Sequence, residues 1–304
     1  MGKIAFVFSG QGAQCPGMGR ELYETYPTAR RVFDALDGIR PGTSEQCFSG
    51  TEEELKETKN TQPCLFAVEL AAAETLREAG LCGDMAAGFS LGEIAALTYA
   101  GAVSLEQGFR LVCRRGELMQ RDAEARETAM AAVLKLPNEK VEELCAGFRE
   151  VYPVNYNCPG QVSVSGAKEE MADFMAAVKT AGGRALPIKV KGGFHSPFMR
   201  AAAEDFGRFL EGQELREPAL PLYSNRTGGV YGGDMARLLS EQICSPVRWE
   251  TIVRAMAAEG ADTFVELGPG KTLCGLVNKT LENVRAFAVS DRAGTEAVLA
   301  EVRS

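Results

Sequence analysis

The sequence predicts an α/β protein in which a doubly wound parallel domain carries a smaller, inserted ferredoxin-like domain. Two observations support this fold class. In the outer parts of the 304-residue chain, short apolar runs alternate with longer helical patterns, as in parallel βα units. Between about residues 127 and 190 the predicted order changes to β-α-β-β-α-β, which is the ferredoxin-like arrangement. We therefore predict a large domain of residues 1–126 and 197–304 and a small domain of residues 127–196.

The large domain begins with a continuous apolar run at residues 3–9 that enters a glycine-rich turn, which is typical of a buried parallel strand. A second short run, residues 85–89, leads into another turn and a helix of small residues. Further strands are predicted at residues 263–267 and near the C-terminus, where a helix is predicted to accompany the last strand. Helical patterns cover residues 19–36, 62–78, 94–100, 105–121, 197–211, 235–242 and 251–258.

The small domain is predicted from its turn signals and from the elements between them. A Cys-Pro-Gly turn separates two of its strands, and a Gly-Gly pair ends its second helix. Because ligand sites favour domain interfaces, we expect the substrate to bind in a cleft between the two domains. Strands are predicted at residues 130–136, 152–157, 161–165 and 184–190, and helices at residues 139–147 and 168–181.

Composition disfavours several classes of function. The net charge of −8 lacks the basic surplus that a nucleic-acid binder needs. The nine cysteines form no C-x-x-C pair and the chain has one histidine, which disfavours a zinc cluster and a disulfide framework and fits a reducing cytosol. No apolar stretch reaches the about 18 residues that cross a bilayer. The sequence thus predicts a cytosolic protein with no metal, cofactor, nucleic-acid partner or membrane span.

The segment Gly88-Phe89-Ser90-Leu91-Gly92 has the G-x-S-x-G pattern of a nucleophile elbow. Such a strand-to-helix turn exposes the serine hydroxyl beside backbone N–H groups and a helix N-terminus. The same pattern also suits a purely structural glycine-rich turn. An apolar run precedes the motif and a helical pattern follows it, which favours Ser90 as a nucleophile.

A serine hydroxyl is a weak nucleophile and needs an adjacent base. His195 is the only histidine of the chain, and it lies in a glycine-rich turn after the last strand of the small domain. Loops that join domains often hold catalytic groups, which favours His195 as that base over a core or surface histidine. A backbone or amide carbonyl can fix its tautomer as well as a carboxylate can. No acidic residue stands out for that task among Asp122, Asp173, Asp205, Asp234 and Asp262.

Two other glycine-rich turns are candidates for anion binding. Residues 268–272 resemble the end of a P-loop, but Val265 stands where the first glycine of that motif would be, which disfavours nucleotide hydrolysis. The turn Gly10-Gln11-Gly12 offers N–H groups that could complete an oxyanion hole with the amide after Ser90.

A pair of arginines occupies the helical pattern at residues 105–121. An arginine that faces a cleft presents a planar, permanently charged fork that can hold a carboxylate through two hydrogen bonds. Both Arg114 and Arg115 are candidates for this role. Spacing alone does not choose between them.

Seven segments follow one another along the chain: FSGQGAQ, GFSLGE, RRGELMQ, VNYNCPGQVSVSG, GGFHSP, EQICSPVRW and FVELGPGK. In this order they resemble the malonyl-CoA:acyl-carrier-protein transacylases of fatty-acid synthesis and the related acyltransferase domains of polyketide synthases. The resemblance covers essentially the whole chain and implies an α/β-hydrolase-like large domain with a ferredoxin-like insertion. It also implies a ping-pong reaction in which malonyl-CoA acylates a serine and the phosphopantetheine thiol of acyl carrier protein then takes the malonyl group.

The resemblance implies a role for each matching residue. Ser90 corresponds to the acyl-carrying nucleophile, His195 to its base, and Arg115 to the arginine that binds the malonyl carboxylate. Gln11 and Leu91 match the positions whose backbone amides form the oxyanion hole.

Three further residues complete the implied site. Gln242 resembles the residue whose main-chain carbonyl orients the histidine. Asn155 and Asn157 match small-domain asparagines near the cleft, and a turn-stabilising role for them stays open.

Two positions qualify the resemblance. The family usually has histidine before the nucleophile, where this chain has Phe89, so the rate of transfer or hydrolysis is expected to differ while the class stays the same. Phe194, before His195, resembles the malonyl-type signature of polyketide acyltransferases. Its ring would crowd an α-methyl group, which gives a preference of about 10 to 200-fold rather than exclusion.

Other functions remain open at this point. The same fold could serve a malonyl-CoA or acyl-CoA thioester hydrolase, or a trans-acting acyltransferase of polyketide synthesis. A catalytically idle carrier-binding module is a further alternative, which an intact Ser90 and His195 disfavour. We expect a monomer whose partners are malonyl-CoA and acyl carrier protein.

Overall fold

The computed structural model describes residues 2–303 and divides into two compact units. The first unit comprises the chain up to Glu117, the segment Glu214–Tyr223 and the chain from Arg254 onward. The second comprises Leu118–Gln213 and Ser224–Val253. This second unit is wider than the small domain predicted at residues 127–196, which stays a prediction as a separately folding domain.

Within residues 2–303 the structure contains nine strands and fourteen α-helices. The strands are β1 (Lys3–Phe8), β2 (Met85–Gly88), β3 (Thr128–Leu134), β4 (Val151–Cys158), β5 (Gln161–Ala167), β6 (Arg184–Ile188), β7 (Leu222–Tyr223), β8 (Ala261–Leu267) and β9 (Arg285–Val289). The helices are α1 (Arg20–Thr25), α2 (Pro27–Asp37), α3 (Thr43–Ser49), α4 (Glu52–Lys56), α5 (Thr58–Glu78), α6 (Gly92–Tyr99), α7 (Leu105–Ala125), α8 (Asn138–Ala146), α9 (Lys168–Thr180), α10 (Arg200–Leu210), α11 (Met235–Ile243), α12 (Trp249–Ala258), α13 (Thr272–Thr280) and α14 (Arg292–Arg303).

The first unit contains a five-stranded sheet in the order β7-β2-β1-β8-β9, and every strand pair in it is parallel. Five of the six residues of β1 are buried, as the continuous apolar run predicts for a strand covered on both faces. The predicted α/β class is therefore confirmed. The carboxyl ends of β1 and β2 are neighbours in this sheet, so the turns that follow them, at residues 9–12 and 89–91, emerge side by side.

The second unit contains a separate antiparallel sheet in the order β4-β5-β3-β6. Helices α8 and α9 connect its strands in the predicted order β-α-β-β-α-β. Their apolar faces and one face of the sheet bury a common core that includes Val133, Val162 and Phe174. The six predicted elements of this region are confirmed, with bounds that differ by at most two residues.

Several elements differ from the prediction. The helix predicted at residues 19–36 is two helices, because Tyr26 precedes Pro27 and adopts extended backbone with φ −114°. The sequence prediction missed α3, α4, α13 and the two-residue strand β7. A capping box between Thr51 and Glu54 marks the start of α4 and would have revealed it.

The described residues also bear on the compositional predictions. Among residues 2–303, no helix combines the length and the apolar character that crossing a bilayer requires. The same residues contain no group of three or more histidine, cysteine or acidic side chains that could hold a metal ion. All nine cysteines are free thiols.

Candidate active site

Ser90 lies on a tight turn between β2 and α6. Its φ of 56° falls in the left-handed region, which costs a non-glycine residue about 1–3 kcal/mol and persists where the surrounding structure enforces it. A Cβ on Gly88 would lie 1.9 Å from the carbonyl carbon of Gly92, and a Cβ on Gly92 would lie 2.4 Å from the backbone oxygen of Ser9. Both glycines of the G-x-S-x-G pattern are therefore required by close backbone packing, and together they hold Ser90 in its strained conformation.

The side chain of Arg115 lies directly beside Ser90. Its Nη2 donates a hydrogen bond to Ser90 Oγ at 3.1 Å, and its Nη1 donates one to Gln62 Oε1 at 2.9 Å. The arginine is 1% exposed. A guanidinium is a planar, permanently charged fork that can bind a carboxylate through two hydrogen bonds. The group is suited to receive a carboxylate at the nucleophile.

The structure separates the two arginine candidates. Arg114 lies at the surface, where it pairs with Glu117 at 3.1 Å. Arg115 instead belongs to the buried face of α7. The spacing does contain this answer, contrary to the sequence-based interpretation: the residues three and four positions before and after Arg115 are apolar and buried, as expected for the inner face of a helix. They are Leu111, Val112, Leu118 and Met119.

Gln62, on α5, is a residue of this site that the sequence prediction missed. It is buried and accepts the Arg115 hydrogen bond. A glutamine among the many apolar residues of a long helix was the available signal, because buried polar side chains are retained where they have a hydrogen-bond partner.

Gln11 and Leu91 occupy the two turns beside Ser90. The Gln11 side chain donates from Nε2 to Thr58 Oγ1 at 3.3 Å, and the turn closes through a hydrogen bond from the amide of Ala13 to the carbonyl of Gly10. Leu91 is buried and is the N-terminal cap residue of α6. The roles of their backbone amides stay predictions.

His195 belongs to the second unit. It is 4% exposed and has a φ of 59°. Its Nδ1 lies 2.9 Å from the backbone oxygen of Gln242, on α11. Because a carbonyl oxygen only accepts hydrogen bonds, this contact assigns the ring proton to Nδ1, so Nε2 is the unprotonated nitrogen of the neutral ring. The Nδ1 partner of the imidazole is thus a backbone carbonyl, and the role of Gln242 in catalysis stays a prediction.

The acidic candidates of the second unit that have hydrogen bonds are used elsewhere. Asp122 accepts a hydrogen bond from the amide of Ala202 at 2.7 Å, and Asp234 caps the start of α11. Asp205 pairs with Arg121 at 2.5 Å. Each of these three carboxylates therefore has a partner of its own within the second unit.

The loop that carries His195 is fixed by two serine side chains. Ser165, on β5, donates from Oγ to the backbone oxygen of Phe194 at 3.0 Å. Ser196 donates to the carbonyl of Gly193 at 2.5 Å and caps the short 3-10 turn that begins at Pro197. Phe194 itself is buried. The imidazole therefore lies on a backbone that is held from both sides.

The two asparagines lie on β4 and have different surroundings. Asn157 donates from Nδ2 to Ser163 Oγ at 3.2 Å, across to β5, so it has a structural contact of its own. Asn155 has a buried Oδ1 with no hydrogen-bond partner among residues 2–303. The backbone on either side of it pairs with Val247. Asn155 is therefore the asparagine with an available acceptor.

A parallel α/β unit that presents a serine on a strand-to-helix elbow is the architecture of serine-nucleophile enzymes. The particular family follows from comparison with known proteins: a family model described as acyl transferase domain matches residues 5–299. This chain belongs to that family and is an acyltransferase.

Three relatives illustrate the similarity. The chain is 41% identical to the malonyl CoA-acyl carrier protein transacylase of Bacillus subtilis (strain 168) over 300 residues, which is 96% of this chain and 94% of that protein. The crystal structure of malonyl CoA-acyl carrier protein transacylase from Clostridium perfringens matches with a TM-score of 0.96, 34% identity and coverage of 99% of this chain and 97% of that one. A malonyl-transacylase solved in complex with a type II PKS acyl-carrier protein matches with a TM-score of 0.95, 34% identity and coverage of 98% and 99%.

Proposed function

We propose that this protein transfers a malonyl group from malonyl-CoA to the phosphopantetheine thiol of acyl carrier protein. The observation that carries the proposal is the buried Arg115 guanidinium, 3.1 Å from the Ser90 hydroxyl. A malonyl group bound to that hydroxyl carries a carboxylate two carbon–carbon bonds from its carbonyl carbon. The guanidinium is proposed to bind that carboxylate.

The proposed reaction has two half-reactions. In the first, Ser90 Oγ attacks the thioester carbonyl while His195 Nε2 takes its proton; the C–S bond breaks, and the coenzyme A thiolate leaves with that proton. In the second, the carrier thiol gives its proton to His195 and attacks the ester carbonyl on Ser90; the ester C–O bond breaks, and Ser90 Oγ takes the proton from His195. The backbone amides at Gln11 and Leu91 are proposed to stabilise the oxyanion of each tetrahedral intermediate.

The His195→Ala variant is expected to transfer malonyl about 100-fold more slowly than the wild type. General acid–base catalysis contributes about 10² to 10⁴, and a thiolate leaving group needs little assistance from an acid, which favours the lower value. Stopped-flow measurement of coenzyme A release checks the first half-reaction. Added imidazole should restore part of the lost rate. Wild-type rates in the variant without imidazole would contradict the assignment of His195 as base.

The Phe194→Ser variant is expected to shift the preference from malonyl-CoA toward methylmalonyl-CoA by about tenfold. One methylene in a pocket changes discrimination by about 10 to 200-fold, and removal of the buried ring would relieve crowding of the α-methyl group. The ratio of kcat/KM for the two thioesters measures it. Phe198→Leu, a neighbouring aromatic substitution, is the matched control. An unchanged ratio would show that the Phe194 ring does not contact the acyl group.

Finer features of the fold and setting belong to the same proposal. The order β-α-β-β-α-β and the antiparallel order β4-β5-β3-β6 support a ferredoxin-like insertion, and the parallel sheet with its serine elbow supports an α/β-hydrolase-like first unit. The asparagines Asn155 and Asn157 are proposed to lie near the substrate, with Asn155 Oδ1 as an acceptor. We expect a cytosolic monomer whose carrier protein serves fatty-acid or polyketide synthesis.

The experiment that tests the function combines malonyl-CoA with a purified holo acyl carrier protein and follows both proteins by intact mass. The expected result is a malonyl adduct on the enzyme, followed by its transfer to the carrier with little free malonate. Dominant release of malonate would identify a thioester hydrolase instead. An enzyme that binds the carrier but never acquires an adduct would identify an idle binding module.

A further inference from the structure

One face of α5 carries three polar side chains that each contact a different part of the site. Thr58, Gln62 and Glu69 are separated by four and seven positions, which places them on the same side of a helix. Thr58 accepts the hydrogen bond from the Gln11 side chain, and Gln62 accepts the one from Arg115. The third member, Glu69, is fully buried. Nothing in the proposed mechanism uses it.

Glu69 contacts Ser9, the residue that follows β1 and precedes Gly10-Gln11-Gly12, which we call the Gln11 turn. Ser9 Oγ donates a hydrogen bond to Glu69 Oε1 at 2.6 Å, and both residues are buried. Ser9 is also held by its own amide, which donates to the carbonyl of Leu267 at 3.1 Å. The Glu69 carboxyl therefore fixes the direction in which the chain leaves β1.

The Gln11 turn packs directly on the serine elbow. A Cβ on Gly10 would lie 2.8 Å from the ring of Phe89 and 2.9 Å from its carbonyl oxygen. The backbone oxygen of Ser9 lies against Gly92 in the same way. Because both turns are in backbone contact, a shift of Ser9 would change the position of the Gln11 amide relative to Ser90. Oxyanion stabilisation depends on donor positions held within about 0.5 Å.

A second buried carboxyl group lies close to Glu69. Glu266, on β8, accepts a hydrogen bond from the amide of Cys274 at 2.8 Å. Within residues 2–303, neither Glu69 Oε2 nor Glu266 Oε1 has a hydrogen-bond partner. Burial raises the pKa of Glu69 well above its usual range, the nearby Glu266 raises it further, and the Ser9 hydrogen bond opposes the rise. Burial therefore favours the neutral, protonated form of the Glu69 carboxyl.

We infer that Glu69 is a positioning residue, which acts through its hydrogen bond with Ser9 to hold the Gln11 turn in register with the Ser90 elbow. The inference rests on the proposed function. The carboxyl group itself does not touch the substrate. Its contribution is specific to the transition state, because the amide of Gln11 is proposed to meet an oxyanion that forms only there.

Three variants test this inference. Ser9→Ala and Glu69→Leu remove the hydrogen bond from either side, and Glu69→Gln retains an acceptor for Ser9 in a side chain of similar shape. Thr75→Val is the matched control, since it removes another buried hydroxyl from α5, one that donates to the carbonyl of Ala71 at 2.8 Å. Each variant is assayed for kcat and KM with malonyl-CoA, and the adduct measured by intact mass gives the active-site concentration.

Ser9→Ala and Glu69→Leu are expected to lower kcat per active site by about 10 to 100-fold, somewhat less than the complete loss of one oxyanion donor. KM for malonyl-CoA should stay within about threefold. Glu69→Gln should recover most of the rate, and the Ser9→Ala/Glu69→Leu double variant should be no slower than the worse single variant. Unchanged kcat per active site, with only a smaller folded fraction, would overturn the inference. Absence of turnover in the wild type would instead refute the proposed function.

The pH dependence of stability gives a second measurement. The pKa of Glu69 is higher in the folded state than in the unfolded state, so its contribution to stability is present in full below the unfolded value of about 4.3 and is lost as pH rises toward the folded pKa. The groups that act on it are Ser9 and Glu266. Because glutamine does not titrate, the melting temperature of Glu69→Gln should rise relative to that of the wild type as the pH increases from about 5 to about 7. A constant difference between the two melting temperatures would contradict a raised pKa of Glu69 in the folded state.

Discussion

The Ser90→Ala variant is expected to acquire no malonyl adduct and to transfer no malonyl group above the uncatalysed rate. Removal of a catalytic nucleophile costs about 10⁶-fold in enzymes that form an acyl-serine, because every later step depends on the ester. Intact mass of the enzyme after incubation with malonyl-CoA checks the first half-reaction, and intact mass of the carrier checks the second. Neither the enzyme nor the carrier should gain the mass of a malonyl group.

Two further variants distinguish chemistry from folding at this position. Ser90 has a φ of 56°, a conformation that glycine adopts without strain. Ser90→Gly should therefore melt no lower than the wild type while it also fails to form the adduct. Ser49→Ala, a serine substitution at an exposed position, should leave the adduct intact. A malonyl adduct on the Ser90→Ala protein would place the nucleophile elsewhere in the chain.

The elements that sequence predicted well are those whose periodicity reflects burial. The first strand is a continuous apolar run because the parallel sheet is covered on both faces, and the six small-domain elements are bounded by turn residues. The short helices α3 and α4 were missed because they span only seven and five residues, too few to show a helical repeat. The break at Pro27 was available from the sequence, since the residue before proline avoids helical backbone.

Some residues of the candidate site could likewise be found from the sequence. Ser90 could be found because its turn demands glycine on both sides, a requirement that the sequence records directly. His195 could be found because the chain has one histidine. Arg115 could have been separated from Arg114 by the helical repeat of buried residues on α7.

Other contacts leave no trace in the sequence. The carbonyl of Gln242 orients His195 through backbone, and every residue has a carbonyl, so only the resemblance to known acyltransferases pointed to it. The hydrogen bond between Ser9 and Glu69 joins residues 60 positions apart. A glutamate in an apolar helix is usually exposed, and its burial is explained only by the strand end that it meets.

The Arg115→Ala variant is expected to lose about 10³-fold in malonyl transfer while acetyl transfer stays similar or improves. Removal of one partner from a buried ion pair costs about 3–5 kcal/mol, and here the proposed partner is the malonyl carboxylate. Acetyl-CoA has no carboxylate, so its acyl group gains nothing from the buried guanidinium and loses nothing when alanine replaces it. The ratio of kcat/KM for malonyl-CoA to that for acetyl-CoA measures the change.

Controls for this prediction come from the same helix. Arg114→Ala removes the adjacent, surface arginine and should leave the ratio unchanged. Arg115→Gln fills more of the buried space than alanine and should lower malonyl transfer without the loss of packing. If malonyl and acetyl transfer fell by the same factor in both Arg115 variants, the guanidinium would be a structural group that supports the Ser90 elbow. A selective loss for malonyl would instead mean that the acyl group is chosen by its charge, because the hydrogen bond from Arg115 to Ser90 would be lost equally for both thioesters.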